Sequence, residues 1–169
     1  MKAAGFPICG EMPGNNPISI RHEDPSGAVA TGLMRELSAE EALRYRDLGD
    51  DAKSFDPAEA RGPRGAFLLA ILDGQPVGCG ALCPVDEETA EIRQVFVTPP
   101  ARRRGVGRAL LAALEQCALD FSYHLIRLET GNRQPEAIAL YERCGYHRVH
   151  AFGHHLGDPV SVCFEKHPA

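Results

Sequence analysis

The sequence predicts a single α+β domain, and three observations lead to that prediction. Two apolar segments, 65–72 and 76–85, flank Asp73-Gly74, a dipeptide typical of the two-residue turn of a β-hairpin. After Gly105, apolar residues recur at steps of three and four, the period of one face of an amphipathic helix. The remaining segments alternate between strand-like and helix-like patterns, which is typical of a mixed fold.

Length and charge limit the classes of protein that this chain can be. Its 169 residues fit one domain, and a net charge of −5 argues against a broad nucleic-acid surface. No apolar run approaches the roughly 20 residues needed to span a bilayer. Residues 1–17 also lack the apolar block of a signal peptide. We therefore expect a cytoplasmic protein with no nucleic-acid partner and no membrane partner.

The first half of the chain predicts an arm, a strand, helices and a loop. Residues 1–16 are rich in Gly, Pro and Asn and predict a flexible arm, so the domain is expected over 17–169. Residues 17–22 predict a first strand. Residues 25–48 have a helical pattern, and Ser38 with a Glu three residues later is typical of a capping box, which predicts two helices. The apolar positions expected to face inward are Val29, Leu33, Leu37, Leu43 and Leu48. Residues 49–65 predict a long mobile loop.

The second half predicts the remaining elements. Residues 89–98 follow the hairpin as a third strand of the meander, which Pro99 ends because proline cannot donate to the ladder. A helix is expected from Gly105 to Phe121, then a strand over 124–130. Further elements are a helix over 135–144, stopped by Gly145, and a last strand over 159–166.

The segment ARRRGVGR (101–108) predicts a small anion site. It places four arginines around two glycines between a strand and a helix. Unpaired N–H groups and the positive dipole end of a helix attract an anion, and the spacing suits a pyrophosphate. The alternative is an arginine-rich turn whose glycines only make a tight corner. Neither a GxxxxGK[ST] loop nor a GxGxxG at the first strand–helix junction is present.

Residues 89–146 resemble a known family. Arg102-x-x-Gly105-x-Gly107 follows a strand that ends Val95-Phe-Val97 and precedes a long helix. Downstream, ETGNRQPEAIALYERCGY (129–146) places an Asn before a helix that ends LYE-x-x-GY. Together these stretches resemble two motifs of the GCN5-related N-acetyltransferase (GNAT) family, with Tyr146 in place of the usual Phe. The resemblance, which spans about 17–166, implies a mixed, mostly antiparallel sheet that is flanked by helices and splayed between its fourth and fifth strands.

The resemblance also implies a cofactor and the residues that hold it. Acetyl-CoA would be the co-substrate and no metal would be needed. The pantetheine arm would pair with the backbone of Val95, Phe96 and Val97, and the Val95 N–H would stabilise the oxyanion. The pyrophosphate would lie on a loop whose residues are Arg102, Arg103, Arg104, Gly105, Val106, Gly107 and Arg108. Asn132 matches a position that hydrogen-bonds pantetheine, although it could equally be a turn residue after Gly131.

Two proton-handling residues follow from the same resemblance. Glu91 lies where many relatives carry a general base; counted by twos it shares a face with Arg93, Val95 and Val97 unless a bulge intervenes. The alternative is a surface glutamate paired with Arg93. Tyr141 matches the family's general acid, which would protonate the departing thiolate. Its alternative is an aromatic packing residue.

The acceptor is the least determined part of the prediction. An amine of a small molecule or peptide is implied, and a homodimer is possible. His154, His155 and Asp158 lack the further ligands of a metal site and could line the acceptor pocket, which Tyr45 and the 49–64 loop could close from the other side. An acidic surround would favour a cationic acceptor. The alternatives to a transferase are a non-catalytic acyl-CoA sensor and an ATP-binding domain.

The positions of the cysteines predict that the acetyl group passes directly from acetyl-CoA to the amine. The six cysteines are scattered, and several lie in apolar runs where a thiol packs as a small hydrophobe. None lies where a covalent acetyl carrier is needed, so a ping-pong mechanism is not expected.

Overall fold

The computed structural model describes residues 17–49 and 54–169 as a seven-stranded sheet in the order β1-β2-β3-β4-β5-β7-β6. The strands are β1 (Ile18–His22), β2 (Ala66–Leu72), β3 (Gln75–Pro84), β4 (Thr89–Val97), β5 (Leu125–Gly131), β6 (His147–Val149) and β7 (Ser161–Lys166). The helices are α1 (Ala28–Arg44), α2 (Val106–Asp120) and α3 (Pro135–Arg143). Short 3₁₀ turns lie at Pro57–Ala60, Pro99–Ala101 and Gly153–His155. The predicted arm over 1–16 falls outside the described residues.

The sheet is antiparallel except between β4 and β5. Asp73 and Gly74 both have positive φ, 51° and 76°, and form the predicted hairpin turn between β2 and β3. β4 and β5 pair in parallel only from Thr89↔Leu125 to Ile92↔Leu128. Beyond that point the two strands separate, which confirms the predicted mixed sheet and its splay between the fourth and fifth strands.

Two apolar cores cover the two faces of the sheet. On one face, α2 contributes its buried residues and α3 contributes Tyr141; we call this the α2 face. On the other, α1 packs Ala30, Leu33 and Leu37 against alternate residues of β2 and β3; we call this the α1 face. The apolar periodicity after Gly105 therefore predicted α2 correctly. The two cores place the open end of the β4–β5 pair between layers of packed side chains.

The predicted division of 25–48 into two helices is wrong. α1 is one helix with Ser38 exposed in its interior, because strong helix formers surround Ser38 and nothing interrupts the backbone hydrogen bonds. Leu33 and Leu37 are buried as predicted. Val29, Leu43 and Leu48 are 37%, 70% and 48% exposed and are not core residues.

Other boundaries differ less. Within the predicted mobile loop, residues 57–60 form a 3₁₀ turn with Ala60 buried, whereas 50–53 lie outside the described residues. The three-residue strand β6 was not predicted, because three residues are too few to show an alternating pattern. Across 17–49 and 54–169, no helix has the length and apolar character that crossing a bilayer requires.

Candidate active site

A bulge in β4 separates the predicted site residues onto two faces. Cys79 pairs with Phe96 but Ala81 pairs with Arg93, so β4 has one more residue than β3 in this interval. Gln94 takes up the extra residue with a positive φ of 56°. Glu91 and Arg93 therefore lie on the α1 face, whereas Val95 and Val97 pack against the α2 face. Counting by twos would have put Glu91, Arg93, Val95 and Val97 on one face. The bulge that the sequence analysis allowed for separates them into two pairs on opposite faces.

The predicted pantetheine strand lies where β4 leaves β5. The β4–β5 ladder ends at Ile92↔Leu128, so the β5-facing side of Val95, Phe96 and Val97 is not paired with β5. Phe96 anchors this stretch with its side chain 4% exposed. The Val97 carbonyl accepts a hydrogen bond of 2.9 Å from Arg102 Nε. The side of this stretch that faces away from β3 therefore has no partner strand, while Phe96 and Val97 are tied to the rest of the protein.

The arginine- and glycine-rich loop delivers a helix N-terminus to this edge. Arg103 and Gly105 both have left-handed backbones, with φ of 62° and 86°, and α2 starts at Val106. The Ala109 N–H donates to the Gly105 carbonyl at 3.0 Å and begins the helical hydrogen bonds. Amides that precede such a bond have no intrahelical acceptor and are available to an anion. The predicted turn and helix start are therefore present, and the binding of a pyrophosphate there stays a prediction.

The four arginines of the loop have different tasks. Arg102 is engaged inside the protein, since besides Val97 it contacts Glu40 of α1 at 2.6 Å. It therefore ties the loop to α1. Arg103 and Arg108 are exposed, and Arg104 is half exposed with Asp73 at 3.5 Å. These three supply the charge that faces solvent.

Gly107 has a packing reason that the sequence did not reveal. A Cβ at this position would lie 2.9 Å from Leu140 Cδ2 of α3. The glycine therefore lets α2 and α3 approach each other, in addition to any contact with a ligand. Gly105, by contrast, meets no close neighbour and is required by its positive φ.

Glu91 is a half-buried carboxylate that points toward a histidine. Its side chain is 14% exposed, and Oε1 lies 3.5 Å from His155 Nε2. Arg93 instead binds Glu59 at 2.7 Å. The alternative in which Glu91 pairs with Arg93 at the surface is therefore wrong.

His155 lies between two carboxylates. Its Nδ1 is 3.8 Å from Glu129 Oε2, opposite the contact with Glu91, and the residue is 6% exposed. The Ser161 hydroxyl donates to Glu129 at 2.8 Å and so fixes that carboxylate. Within the described part of the chain, His155 Nε2 is buried without a hydrogen-bond partner. We call Glu91, His155 and Glu129 the carboxylate–histidine group.

The sequence drew attention to His155 but not to Glu129. Two adjacent histidines in a Gly-flanked loop were visible, whereas Glu129 looked like any alternate residue of a strand. The pairing of β5 with β7, which places Glu129 opposite Cys163, is what brings it under the 153–155 turn. Only a known strand order could have shown this.

Tyr141 of α3 is a buried residue of the α2-face core. The residue is 6% exposed, and its ring packs on Phe164 and Tyr146 with centroids 5.7 and 6.1 Å apart. Burial raises the pKa of its phenol well above the ordinary value, and the carboxylates of Glu129 and Glu41 raise it further. Tyr141 is therefore a packed residue whose phenol stays protonated close to acidic groups. The packing alternative and the acid assignment are both compatible with this placement.

The end of β5 is covered by Tyr45. A Cβ at Gly131 would come within 1.8 Å of Tyr45 Oη, so the two residues are in direct contact. The same hydroxyl accepts a hydrogen bond from the Arg133 N–H at 3.1 Å. Asn132 is exposed between them, and its own N–H donates to Val160 at 2.8 Å. Tyr45 thus packs against the end of β5, and its predicted role in closing the acceptor pocket stays a prediction.

Glu41 adds a third carboxylate to this region. The residue as a whole is exposed on the last turns of α1, whereas its carboxyl group lies close to Gln134 and Glu129 and is partly withdrawn from solvent. Partial desolvation raises the pKa of Glu41, and the nearby charges of Glu129 and Glu40 raise it further. The carboxylates of Glu41 and Glu129 therefore make the surround of Tyr141 acidic.

A cavity of about 470 Å³ adjoins the carboxylate–histidine group on the α1 face. It is lined by Ser54, Glu59, Arg93 and His154. The rings of His154 and His155 are 4.3 Å apart, which places the cavity beside the buried imidazole. The placement of His154 agrees with a lining role for this loop. Across the described ranges, no cluster of three or more His, Cys, Asp and Glu residues has an arrangement that could hold a metal ion.

Comparison with known proteins identifies relatives of this chain. The Acetyltransferase (GNAT) family model matches residues 31–146. An IAA acetyltransferase of Azospirillum brasilense is 35% identical over 156 residues, which are 88% of this chain and 97% of that protein. A Klebsiella pneumoniae crystal structure assigned as an acyl-CoA N-acyltransferase shares 34% identity and a TM-score of 0.76 over 92% of this chain and 100% of that one. An Elizabethkingia anophelis GNAT acetyltransferase with acetyl-CoA bound has the same fold, with 19% identity and a TM-score of 0.67 over 90% of this chain and 99% of that one.

Proposed function

This chain is an N-acetyltransferase of the acetyltransferase (GNAT) family, and on that premise we propose that it moves the acetyl group of acetyl-CoA directly to a primary amine of a small molecule or peptide. One observation carries the proposal. The unpaired edge of β4 at Val95–Val97 ends beside the N-terminus of α2, where Gly105 turns the chain. An extended pantetheine can pair with such an edge while its pyrophosphate meets the helix amides.

The residues of the loop fit acetyl-CoA in charge as well as in shape. The exposed groups of Arg103, Arg104 and Arg108 surround the helix N-terminus, and charge-assisted hydrogen bonds to phosphate are the strong ones. Arg102 keeps the loop against α1 through Glu40. Asn132, exposed just after β5, is assigned to the pantetheine amides on the strength of the resemblance.

Removal of the ammonium proton is assigned to Glu91. An amine that attacks a thioester must first lose its proton, and Glu91 is a half-buried carboxylate on the strand that leads to the splay. His155 keeps the carboxylate in place from one side. As the N–C bond forms, the oxyanion of the tetrahedral intermediate accepts a hydrogen bond from the Val95 N–H.

Protonation of the leaving group is assigned to Tyr141. When the C–S bond breaks, the CoA thiolate takes the phenolic proton. The raised pKa of Tyr141 means that its phenol holds a proton at neutral pH and above. The nitrogen gives up two protons overall: Glu91 passes one to solvent, and the other replaces the proton that Tyr141 gave to the thiolate. The products are the amide, the CoA thiol and one proton.

Direct transfer is favoured because the cysteines near the site are poor nucleophiles. Cys163 lies opposite Glu129 and is 2% exposed, and burial raises the pKa of its thiol, with Glu129 and Glu91 adding to the effect. The pKa of Cys83, on β3 opposite Glu91, is raised to about 12. A thiol that stays protonated does not accept an acetyl group readily.

The test is thiol release from acetyl-CoA in the presence of primary amines. We expect amine-dependent release in the wild type, and initial-rate lines that intersect when both substrates are varied, as a ternary complex requires. Glu91→Gln is expected to lower kcat by roughly 10²–10⁴-fold, the usual contribution of a general base, with acetyl-CoA binding retained. Binding of acetyl-CoA with no amine-dependent release would leave the sensor alternative and refute the transferase mechanism. Parallel lines with an isolable acetyl-enzyme would refute direct transfer.

A further inference from the structure

We infer that the acceptor carries a carboxylate beside its amine, and that Arg93 binds this carboxylate in the cavity on the α1 face. The inference rests on the proposed function, because it takes the amine to react next to Glu91. It gives the guanidinium of Arg93 a role in substrate binding, which a purely cationic acceptor would not require.

The position of Arg93 along β4 is the first step. Arg93 follows Glu91 by two residues on the same face of the strand, just before the bulge at Gln94. Two residues of strand span roughly 7 Å. If the amine of an acceptor lies beside Glu91, a group that is a few bonds from that amine can therefore reach the guanidinium of Arg93.

The lining of the cavity is the second step. Arg93 and His154 line one space of about 470 Å³, together with Ser54 and Glu59. An arginine, an imidazole and a hydroxyl all donate hydrogen bonds, and a single planar guanidinium matches a carboxylate. A second ammonium would instead meet the positive charge of Arg93.

The present partner of Arg93 is the third step. Glu59 contacts Arg93 Nη1 at 2.7 Å, and its side chain is 43% exposed at the end of a short 3₁₀ turn. The Phe55 ring centroid lies 5.3 Å from Arg93 Cζ and supports the guanidinium from one side by a cation–π contact. A substrate carboxylate can replace the exposed Glu59 carboxylate on an arginine that stays where it is.

The test compares amines that differ only in the carboxylate. Thiol release from acetyl-CoA is measured with L-phenylalanine, L-methionine, L-lysine and L-tryptophan, and with the carboxamide of each. Among these four pairs, we take the one whose amino acid reacts fastest. In that pair we expect kcat/KM to be at least about tenfold higher for the amino acid than for its carboxamide, because the carboxamide loses a charge-assisted hydrogen bond. The carboxamide has the less basic amine, so deprotonation alone would favour the carboxamide.

Two variants of the cavity have opposite expected effects. Arg93→Gln is expected to lower kcat/KM for amino acids by about tenfold and to leave the carboxamides unchanged. Glu59→Gln is expected to raise kcat/KM for amino acids, because no carboxylate has to be displaced. If Arg93 only held the 3₁₀ turn through Glu59, both variants would impair every substrate alike, and that result would overturn the inference. Arg21→Gln, on exposed β1, is the matched control and should change neither class.

The outcomes separate this inference from the proposed function. Thiol release with carboxamides or spermidine, and not with amino acids, overturns the carboxylate inference and leaves the transferase standing. If no amine releases thiol, the transferase fails, and calorimetric titration of the same amino acids into CoA-saturated protein decides the inference. If the amino acids bind to the wild type and not to Arg93→Gln, the carboxylate inference is supported. If they do not bind to the wild type, the inference is overturned.

Discussion

His155 Nε2 lies 3.5 Å from the Glu91 carboxylate and has no hydrogen-bond partner within the described residues. On its other side, Nδ1 is 3.8 Å from Glu129. A buried nitrogen without a hydrogen-bond partner carries a desolvation cost, and the negative charge of the Glu91 carboxylate offsets part of it. We therefore assign His155 to the positioning of Glu91.

The first prediction concerns His155→Gln. We expect kcat to fall by roughly tenfold to a hundredfold, part of the roughly 10²–10⁴ that a general base contributes, with acetyl-CoA affinity unchanged. The loss should appear in kcat and not in the KM for acetyl-CoA, because His155 lies beside Glu91 and not beside the loop at 102–108. His147→Gln, exposed on β6, is the control. An unchanged kcat with a lower melting temperature would mean that His155 is only a packing residue.

The second prediction concerns Tyr141→Phe. The ring contacts with Phe164 and Tyr146 are kept, so stability should change little, whereas kcat should fall by about 10²-fold if the phenol is the acid. The raised pKa of Tyr141 gives a second expectation: wild-type kcat should not decline through tyrosine ionisation as the pH approaches about 10. Steady-state rates from pH 6 to 10 in both proteins provide the measurement. Equal kcat in wild type and variant would remove Tyr141 from the mechanism.

The third prediction concerns the stability of Glu41→Gln. The folded protein raises the pKa of Glu41 above its ordinary value of 4.5, so the unfolded chain ionises first. The contribution of protonated Glu41 to the free energy of unfolding is therefore fully present below pH 4.5, and it is lost as the pH rises through the pKa of Glu41 in the folded protein. The variant should therefore melt at a higher temperature than wild type at pH 7, and the difference should vanish near pH 4.

The neighbouring Glu40→Gln is the control for that experiment. Glu40 makes ion pairs with Arg102 at 2.6 Å and Arg44 at 3.3 Å, so its removal should lower the melting temperature at pH 7. If both variants shift the melting temperature in the same direction, the unfavourable surround assigned to Glu41 is wrong.

The fourth prediction concerns the contact between Tyr45 and Gly131. A Cβ at Gly131 would lie 1.8 Å from Tyr45 Oη, so Gly131→Ala should lower the free energy of unfolding by about 1–3 kcal/mol, the usual cost of overpacking. In a Tyr45→Ala background the same change should cost clearly less. Urea unfolding of the four proteins closes this double-mutant cycle. Equal costs in both backgrounds would show that Tyr45 does not occupy the space above Gly131.

Much of the fold followed from the sequence because its signals are local. The Asp73-Gly74 turn and the period of α2 depend on neighbouring residues only, and both were predicted correctly. The division of α1 failed because Ser38 resembles a helix cap, whereas the helix formers around it outweigh that signal.

The site was predictable only in part, since it depends on contacts between distant segments. The resemblance implied roles for Glu91, Tyr141 and the loop at 102–108, and these roles stay predictions. The bulge at Gln94 and the position of Glu129 under His155 are consequences of strand register. A register shift leaves no mark in the apolar pattern of a single strand.

Titration of acetyl-CoA into the purified protein by calorimetry tests the central claim most directly. We predict a dissociation constant on the order of micromolar, no comparable binding of ATP or NAD, and clearly weaker binding by Arg104→Glu. That substitution changes an exposed side chain whose contact with Asp73 is 3.5 Å, so the fold should be unaffected, and Arg21→Glu is its control. If acetyl-CoA does not bind, or if ATP binds equally well, the loop at 102–108 is a basic turn and the account of the site is wrong.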